Sequence, residues 1–256
     1  MQEILRRVQK GELSPEEAEK ILKVLTIQEV ENLAKLDPHR DLRKGIPEVI
    51  FAEGKTPEDA VKISHAMLKN KGRVIISRVP EEHAKLLKES FRDCAEVYEN
   101  TRARMLVLKQ KGFVSQKTGG RVGIVTAGTA DTPIAEQAKV IAEEMGCEVF
   151  TFYDVGVAAI HRVFPSIQKL LEKDISAIIV VAGMEGALPS VICGLVDIPV
   201  IGVPTSVGYG IGGQGITALL SMLQSCTPGL TVVNIDNGIG AGATAALIAN
   251  RYAKSH

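Results

Sequence analysis

The sequence predicts an α/β protein with a doubly wound parallel sheet that follows a smaller N-terminal α+β domain. From residue 117 onward, short strands alternate strictly with helices, which is the pattern of a parallel sheet built from β-α units. These strands are apolar throughout rather than alternating with polar residues, which indicates burial on both faces. A turn-rich segment, Gln116–Gly120, separates this pattern from what precedes it. We therefore assign residues 1–116 to the first domain and 117–256 to the second.

Composition excludes several classes of partner. The 256 residues carry equal numbers of basic and acidic side chains, 30 of each, so no broad electrostatic footprint for nucleic acid or a membrane surface is present. Tryptophan is absent and aromatics are 4%, which argues against stacking platforms for single strands. The N-terminus has no apolar signal core, no apolar run approaches the roughly 20 residues of a membrane span, and the four cysteines form no CxxC pair. We expect a cytoplasmic protein with free thiols.

The first domain is predicted to begin with a helical hairpin. Ile4 and Val8 share one helical face, and Gly11 ends that helix. Ser14–Glu17 is a capping box with proline at the first helical position, and it begins a helix that we extend to about Leu33.

A polar segment then surrounds one short strand, Val49–Phe51. The segment, LDPHRDLRKGIPEVIFAEGKT, spans residues 36–56 and holds four cations, Arg40, Arg43, Lys44 and Lys55. They either contact substrate phosphates or form an ordinary solvated surface. The rest of the domain is predicted to contain two helices, 57–70 and 80–91, and strands at 74–76, 96–98 and 104–108.

The second domain is predicted to contain five strands and five helices. The strands are 122–126, 148–153, 177–182, 200–203 and 230–235, and the helices are 133–145, 161–171, 189–195, 215–225 and 241–252. In such sheets ligands bind beyond the carboxyl ends of the strands, so the residues that follow each strand are the candidates for a site.

Small, polar and glycine residues follow every strand. Gly128, Thr129 and Asp131 follow the first strand, where backbone amides at a helix start can face a phosphate and a plain helix cap is the alternative. The other loops contribute His161 and Arg162, then Gly183, Met184, Glu185 and Gly186, then Gly208 and Gly210, and finally Asp236. Glu185 is the strongest candidate, because it is the single polar side chain of its loop and the flanking glycines let the backbone approach a ligand.

Cys226 lies just after a predicted helix. Most cysteines are structural, and a thiolate at the carboxyl end of a helix needs compensating positive charge nearby. Position alone therefore argues against a nucleophilic role.

The ordered motifs of the second domain resemble the aminoimidazole ribonucleotide carboxylase/mutase (PurE) superfamily, whose fold is flavodoxin-like. The resemblance lies in AGTADTPIA, AIHR, AGMEGALPS, PVIGVP, LLSMLQSC and GIGAGATAALIANRY. Three positions depart from the purine enzymes. Their loop AGGAAHLPG has a histidine where this chain has Ala187 and a small residue where it has Glu185, and Cys226 stands near the proline of their QMP segment.

These departures resemble a second family, LarB, which makes a precursor of the nickel-pincer cofactor. The segment at residues 36–56, together with DVGVAAIHR, VAGMEGALPS, GVPTSVGYG and VNIDNGIGAGATAA, is similar to that family over nearly the whole chain. The resemblance implies that nicotinic acid adenine dinucleotide is carboxylated with carbon dioxide at the 5-position of its pyridinium ring. It also implies cleavage of the phosphoanhydride, which yields AMP and pyridinium-3,5-biscarboxylate mononucleotide, in an oligomer expected to be an octamer. By motif, the family's cysteine and glutamate correspond to Cys226 and Glu185.

The implied chemistry needs one nucleophile and one base. A thiolate added to the pyridinium ring gives a dihydropyridine whose 5-position can attack carbon dioxide, and a base then removes the proton. A bound pyridinium would supply the positive charge that Cys226 needs. Anhydride cleavage calls for cations or magnesium, for which Asp131, Asp236 and Asp37 are candidate ligands. The alternatives are a purine carboxylate mutase and a non-catalytic nucleotide-binding protein.

Overall fold

The computed structural model describes residues 2–25, 28–30, 34–37 and 40–255. The chain divides into two compact units. The first contains the residues up to Glu99 together with Met105–Phe113, and the second contains Asn100–Arg104 and the residues from Val114 onward. The sequence predicted a single division after residue 116, and the turn Asn100–Arg104 departs from it.

The first unit begins with two helices, α1 (Gln2–Gln9) and α2 (Pro15–Leu25). The predicted capping box is confirmed: the Ser14 amide donates to the Glu17 carboxylate at 3.0 Å, and the Glu17 amide donates to the Ser14 hydroxyl at 3.1 Å. The extension of this helix to Leu33 is wrong. Instead β1 (Gln28–Val30) pairs antiparallel with β2 (Ala34–Leu36). Among the described residues of these two strands only Val30 is β-branched, so strand propensity alone does not end the helix, and the antiparallel pairing of β1 with β2 decides it.

A four-stranded mixed sheet forms the rest of the first unit, in the order β3-β4-β6-β5. Its predicted strands and helices are confirmed within two residues at most ends, and its core contains Phe91, Leu87 and Ile76, all fully buried. Its elements are α3 (Arg40–Lys44), β3 (Val49–Phe51), α4 (Pro57–Lys71), β4 (Arg73–Ser77), α5 (Glu81–Phe91), β5 (Ala95–Asn100) and β6 (Met105–Gln110).

The second unit contains a five-stranded, wholly parallel sheet in the order β11-β10-β9-β7-β8. With the strands counted from the first, this is the 2-1-3-4-5 order of flavodoxin-like sheets, so the predicted fold class is confirmed. The strands are β7 (Arg121–Thr126), β8 (Glu148–Phe152), β9 (Ala177–Ala182), β10 (Val200–Pro204) and β11 (Leu230–Val232). The helices are α6 (Thr132–Glu144), α7 (Val163–Leu171), α8 (Leu188–Cys193), α9 (Ile216–Leu223) and α10 (Gly238–Ala253).

Burial on both faces of this sheet follows from its apolar strands. Every residue of β9 and β10 is buried, as the continuous apolar runs predicted. Within the part of the chain that the structure describes, no helix is long and apolar enough to cross a membrane.

Five predicted boundaries in the second unit are wrong by two or three residues. Two of them are helix ends: α8 ends at Cys193 rather than residue 195, and α10 begins at Gly238 rather than residue 241. β11 ends at Val232 rather than Ile235, because the chain turns at Asn234, whose side chain accepts from the next amide at 2.9 Å. The helix predicted from His161 begins at Val163, and a kinked 3-10 segment, Val157–Arg162, precedes it. α9 ends at Leu223, two residues earlier than predicted.

Candidate functional site

A cleft of about 240 Å³ opens at the carboxyl edge of the parallel sheet. It lies where β7 and β9 are neighbours and the chain order reverses, which is the position at which doubly wound sheets bind ligands. Its walls come from the loops after β7, β8, β9 and β10 and are mostly small and apolar. The predicted site residues Gly128, Asp131, Gly183, Met184 and Glu185 all line it, together with Ala187.

The loop after β9 holds Glu185 on a tightly packed backbone. A Cβ on Gly183 would meet the Val207 carbonyl oxygen at 2.2 Å, so no larger residue is accommodated there. Met184 and Gly186 have φ of 50° and 63°, and the Met184 amide donates to the same carbonyl at 3.0 Å. Glu185, between them, is exposed at the cleft. A fixed backbone that presents one accessible carboxylate is suited to proton transfer.

Asp131 ties three strand ends together at the floor of the cleft. Its carboxylate accepts from the Thr205 hydroxyl at 2.6 Å, from the Gly128 amide at 2.9 Å and from the Gly183 amide, and the residue is 4% exposed. Burial raises the pKa of Asp131, the three hydrogen bonds oppose that increase, and the charge of Asp236 adds to it. With both oxygens already accepting hydrogen bonds, Asp131 organises the site. Sequence reasoning did not select Thr205, although a hydroxyl at the end of a buried strand on this edge was a usable signal.

His161 and Arg162 lie further along the loop after β8, where both are exposed and neither lines the cleft. The Arg162 guanidinium donates to the Asp154 carboxylate at 2.9 Å and to its carbonyl at 3.3 Å. Gly156 packs so closely on the first loop that a Cβ there would lie 2.7 Å from the Ala127 carbonyl oxygen. Arg162 is therefore committed in part to an ion pair within its own loop.

The remaining predicted residues of this edge lie in more open surroundings. Thr129 is exposed at the start of the 3-10 segment Thr129–Asp131. Gly208 and Gly210 have φ of 154° and 82°, in a loop that nothing crowds at Gly210. Asp236, with φ of 56°, accepts from the Ser206 amide at 2.9 Å and so joins the loops after β10 and β11.

Cys226 lies at the opposite edge of the sheet. It precedes β11, and two hydrogen bonds fix the position of its loop. The Val200 amide at the start of β10 donates to the Gly229 carbonyl at 3.2 Å, and the Cys193 thiol donates to the Pro228 carbonyl at 3.3 Å. At about 3.3 Å per residue, β10 alone puts about 13 Å between the two edges. Cys226 is exposed, and within one chain it is not brought together with Glu185.

The basic residues of the first unit do not form one cluster. Arg43 pairs with Asp37, whose amide donates to Glu48 at 2.7 Å just before β3, whereas Lys55 follows the other end of that strand. Arg43 and Lys55 therefore lie at opposite edges of the first unit's sheet. Arg40 begins α3 on the Arg43 side.

The candidate magnesium ligands do not form a preassembled site. No group of three or more histidine, cysteine, aspartate or glutamate side chains suited to a metal occurs among the residues that the structure describes. Both oxygens of Asp131 are occupied, one oxygen of Asp236 accepts from a backbone amide, and Asp37 pairs with Arg43 in the first unit.

Comparisons with known proteins separate the same two parts of the chain. The model of the LarB/PurE-like N-terminal domain matches residues 27–110, and that of AIR (aminoimidazole ribonucleotide) carboxylase matches residues 121–256. An uncharacterized protein of Methanocaldococcus jannaschii is 46% identical over 97% of this chain and 96% of its own length.

Two further relatives match only part of the chain. The N5-carboxyaminoimidazole ribonucleotide mutase of Thermotoga maritima is 33% identical over 50% of this chain and 74% of the mutase. That of Pyrococcus horikoshii is 35% identical over 45% of this chain and 64% of the mutase. The second unit is thus homologous to enzymes of the carboxylase/mutase kind. The chain belongs to the AIR carboxylase family, within the PurE superfamily.

Proposed function

We propose that this protein is a cytoplasmic enzyme that carboxylates the pyridinium ring of nicotinic acid adenine dinucleotide. It also hydrolyses the dinucleotide's phosphoanhydride, so that the products are pyridinium-3,5-biscarboxylate mononucleotide and AMP, for nickel-pincer cofactor synthesis. The observation that carries the proposal is the pair of residues on the loop after β9. A carboxylate, Glu185, faces a largely apolar cleft, and Ala187 lines the cleft where the purine enzymes have a histidine.

The lining of the cleft suits a flat, electron-poor ring. Its walls include Ala127, Val157, Leu188 and Val207, and Glu185 is the accessible charge in them. A cationic ring beside a carboxylate in apolar surroundings is stabilised by that charge. The match to a LarB/PurE-like N-terminal domain gives further support, since the two mutases match only 45–50% of the chain.

The bond changes assign one role to each of two side chains. The Cys226 thiolate adds to a ring carbon, and the electron pair of the broken π bond neutralises the ring nitrogen. The 5-position then attacks carbon dioxide and forms the new carbon–carbon bond. Glu185 takes the proton from that carbon, and departure of the thiolate restores the aromatic ring. Separately, water attacks the anhydride phosphorus and AMP leaves.

These roles require Cys226 and Glu185 to meet, and we propose that they come from two copies of the chain. An apolar stripe on the outer face of α9 supports this assembly: Ile216, Leu220 and Leu223 are 51%, 60% and 62% exposed. The stripe continues into Tyr209, 83% exposed, at the carboxyl edge of the sheet. Exposed apolar patches of this kind mark protein interfaces.

A two-fold axis perpendicular to α9 would place the two copies of this helix antiparallel. The Cys226 end of each copy would then approach the carboxyl edge of its partner. An octamer, the state that the resemblance implies, contains several such contacts.

The test is incorporation of labelled bicarbonate. We expect acid-stable label in a product that depends on nicotinic acid adenine dinucleotide, with AMP released in equal amount, and no turnover of aminoimidazole ribonucleotide or its N5-carboxy form. The Glu185→Gln variant is the control for contaminating activity. Turnover of the imidazole nucleotides instead would assign the chain to the purine mutases, and turnover of neither would leave a binding protein.

A further inference from the structure

The turn Asn100–Arg104 is fixed to the helix that begins at the cleft. The Asn100 side chain donates to the Glu136 carboxylate at 2.5 Å, and the Gln137 side chain donates to the Ala103 carbonyl at 3.3 Å. The turn closes on itself as well, because the Ala103 amide donates to the Asn100 side chain at 3.0 Å. Glu136 and Gln137 are 9% and 7% exposed, and Ala103 is 1% exposed. The backbone of the turn is therefore held in place although it lies between β5 and β6 in the sequence.

Arg102 is exposed at the centre of this turn, and its charge lies near Tyr153, whose loop leads to the cleft. Glu136 also accepts from the hydroxyl of Tyr153, the residue that follows β8. Burial raises the pKa of Tyr153 to about 12, the hydrogen bond to Glu136 adds to the increase, and the nearby positive charge of Arg102 opposes it. The same loop continues to Gly156 and Val157, which line the cleft.

The charge of Arg102 is not neutralised by an ion pair. Within the part of the chain that the structure describes, no carboxylate oxygen lies within 4.0 Å of its guanidinium nitrogens. Arg162, in the loop after β8, is by contrast bound to Asp154 at 2.9 Å. An arginine without an acidic partner, on a pinned turn, can offer a planar pair of donors to a phosphate at little cost in side-chain order.

The dinucleotide of the proposed function is too large for the cleft, so part of it must bind outside. The cleft of about 240 Å³ is smaller than the usual ligand pocket of about 300–1,000 Å³. A dinucleotide with its pyridinium ring in this cleft extends over the rim, and its two linked phosphates then lie outside the pocket.

We propose that Arg102 binds the phosphate of the adenylate half of the dinucleotide. This inference rests on the proposed function and adds a substrate-binding residue to it. Arg102 contacts a part of the substrate far from the reacting ring. Its loss should therefore weaken binding of the dinucleotide and leave binding of nicotinic acid mononucleotide unchanged.

Calorimetric titration of the full-length protein tests this assignment. Arg102→Gln should bind nicotinic acid adenine dinucleotide about tenfold more weakly than wild type, the loss expected for one charged hydrogen bond, and the difference should shrink as salt rises. Nicotinic acid mononucleotide should bind both proteins alike, and Arg102→Lys should recover part of the affinity. Arg251→Gln is the matched control, because Arg251 is an exposed arginine near the end of α10, at the amino edge of the sheet.

The outcomes separate this inference from the proposed function. Equal dinucleotide affinity of Arg102→Gln and wild type, with unchanged melting temperatures, would overturn the role of Arg102. If wild type binds no dinucleotide, the proposed function fails, and titration with inorganic pyrophosphate then decides the anion contact. If Arg102→Gln binds pyrophosphate more weakly than wild type, the contact between Arg102 and a phosphate is supported. If the two proteins bind pyrophosphate equally, that contact is ruled out.

Discussion

The two edges of the parallel sheet in the second unit are built differently. At the carboxyl edge, loops from β7, β9 and β10 are locked together by the buried Asp131 and by glycines that admit no Cβ, and a cleft lies between them. At the amino edge, Cys226 lies in a short exposed loop before β11. One edge therefore presents a formed pocket with an accessible carboxylate, and the other presents an accessible thiol. The contrast teaches that one chain holds the two side chains of the proposed reaction, Glu185 and Cys226, at opposite edges of its sheet.

The largest expected effect belongs to the amino edge. Cys226→Ser should lower carboxylation by at least about a thousandfold, because an alcohol is a far weaker reversible nucleophile than a thiolate. Labelled bicarbonate incorporation measures the loss, and the melting temperature should not change, since the side chain is exposed. Cys94→Ser, the matched exposed cysteine, should retain activity. Near-normal turnover by Cys226→Ser would remove the thiol from the mechanism.

The carboxyl edge should show a somewhat smaller effect that is confined to turnover. Glu185→Gln keeps the shape of the side chain but cannot accept the ring proton, so kcat should fall by about 10²–10⁴. The dissociation constant for the dinucleotide, measured by calorimetry, should change little, and a covalent adduct on Cys226 should accumulate in mass spectra. Weaker binding with normal kcat would mean that Glu185 positions the substrate instead.

The apolar stripe that links the two edges should control assembly and, through it, activity. Leu220→Lys places a charge at the middle of the stripe, and we expect dissociation to smaller species with a loss of activity of about tenfold or more. Light scattering measures the mass. Lys169→Leu, on α7 of the same unit, is a control for altered surface polarity and should leave the mass unchanged. A fully active monomeric Leu220→Lys protein would show that one chain completes the site.

The sequence predicted the carboxyl edge better than it predicted the rest. Continuous apolar strands fix a parallel sheet, and a parallel sheet fixes where loops such as Gly183–Ala187 must lie, so the location of Glu185 followed from local pattern. The end of α2 did not follow, because tertiary pairing of β1 with β2 decides it. The place of Asn100–Arg104 depends on long-range hydrogen bonds to α6, which leave no periodic signal.

Cys226 shows a different limit of sequence reasoning. Its place before a strand implies the amino edge of the sheet. The motif LLSMLQSC suggests that it is the nucleophile, but a motif does not say whether the thiol acts in a site of its own chain or of another copy. The segment at residues 36–56 shows the same limit: its cations looked like one cluster in sequence, and the strand between them puts Arg43 and Lys55 at opposite edges.

Mixing two inactive variants tests the central claim most directly. Cys226→Ser and Glu185→Gln proteins, dissociated and reassembled together at equal amounts, should recover about one quarter of wild-type activity, since random pairing joins an intact thiol to an intact carboxylate at one site in four. Wild type reassembled with the Cys226→Ser, Glu185→Gln double variant calibrates subunit exchange. If each site is shared between two chains, this second mixture should show about half of the activity that its wild-type chains have alone. If each site lies within one chain, it should show all of that activity. Recovery near one quarter in the mixture of single variants would support the account. No recovery above the separate variants, with exchange verified by native mass spectrometry, would contradict it.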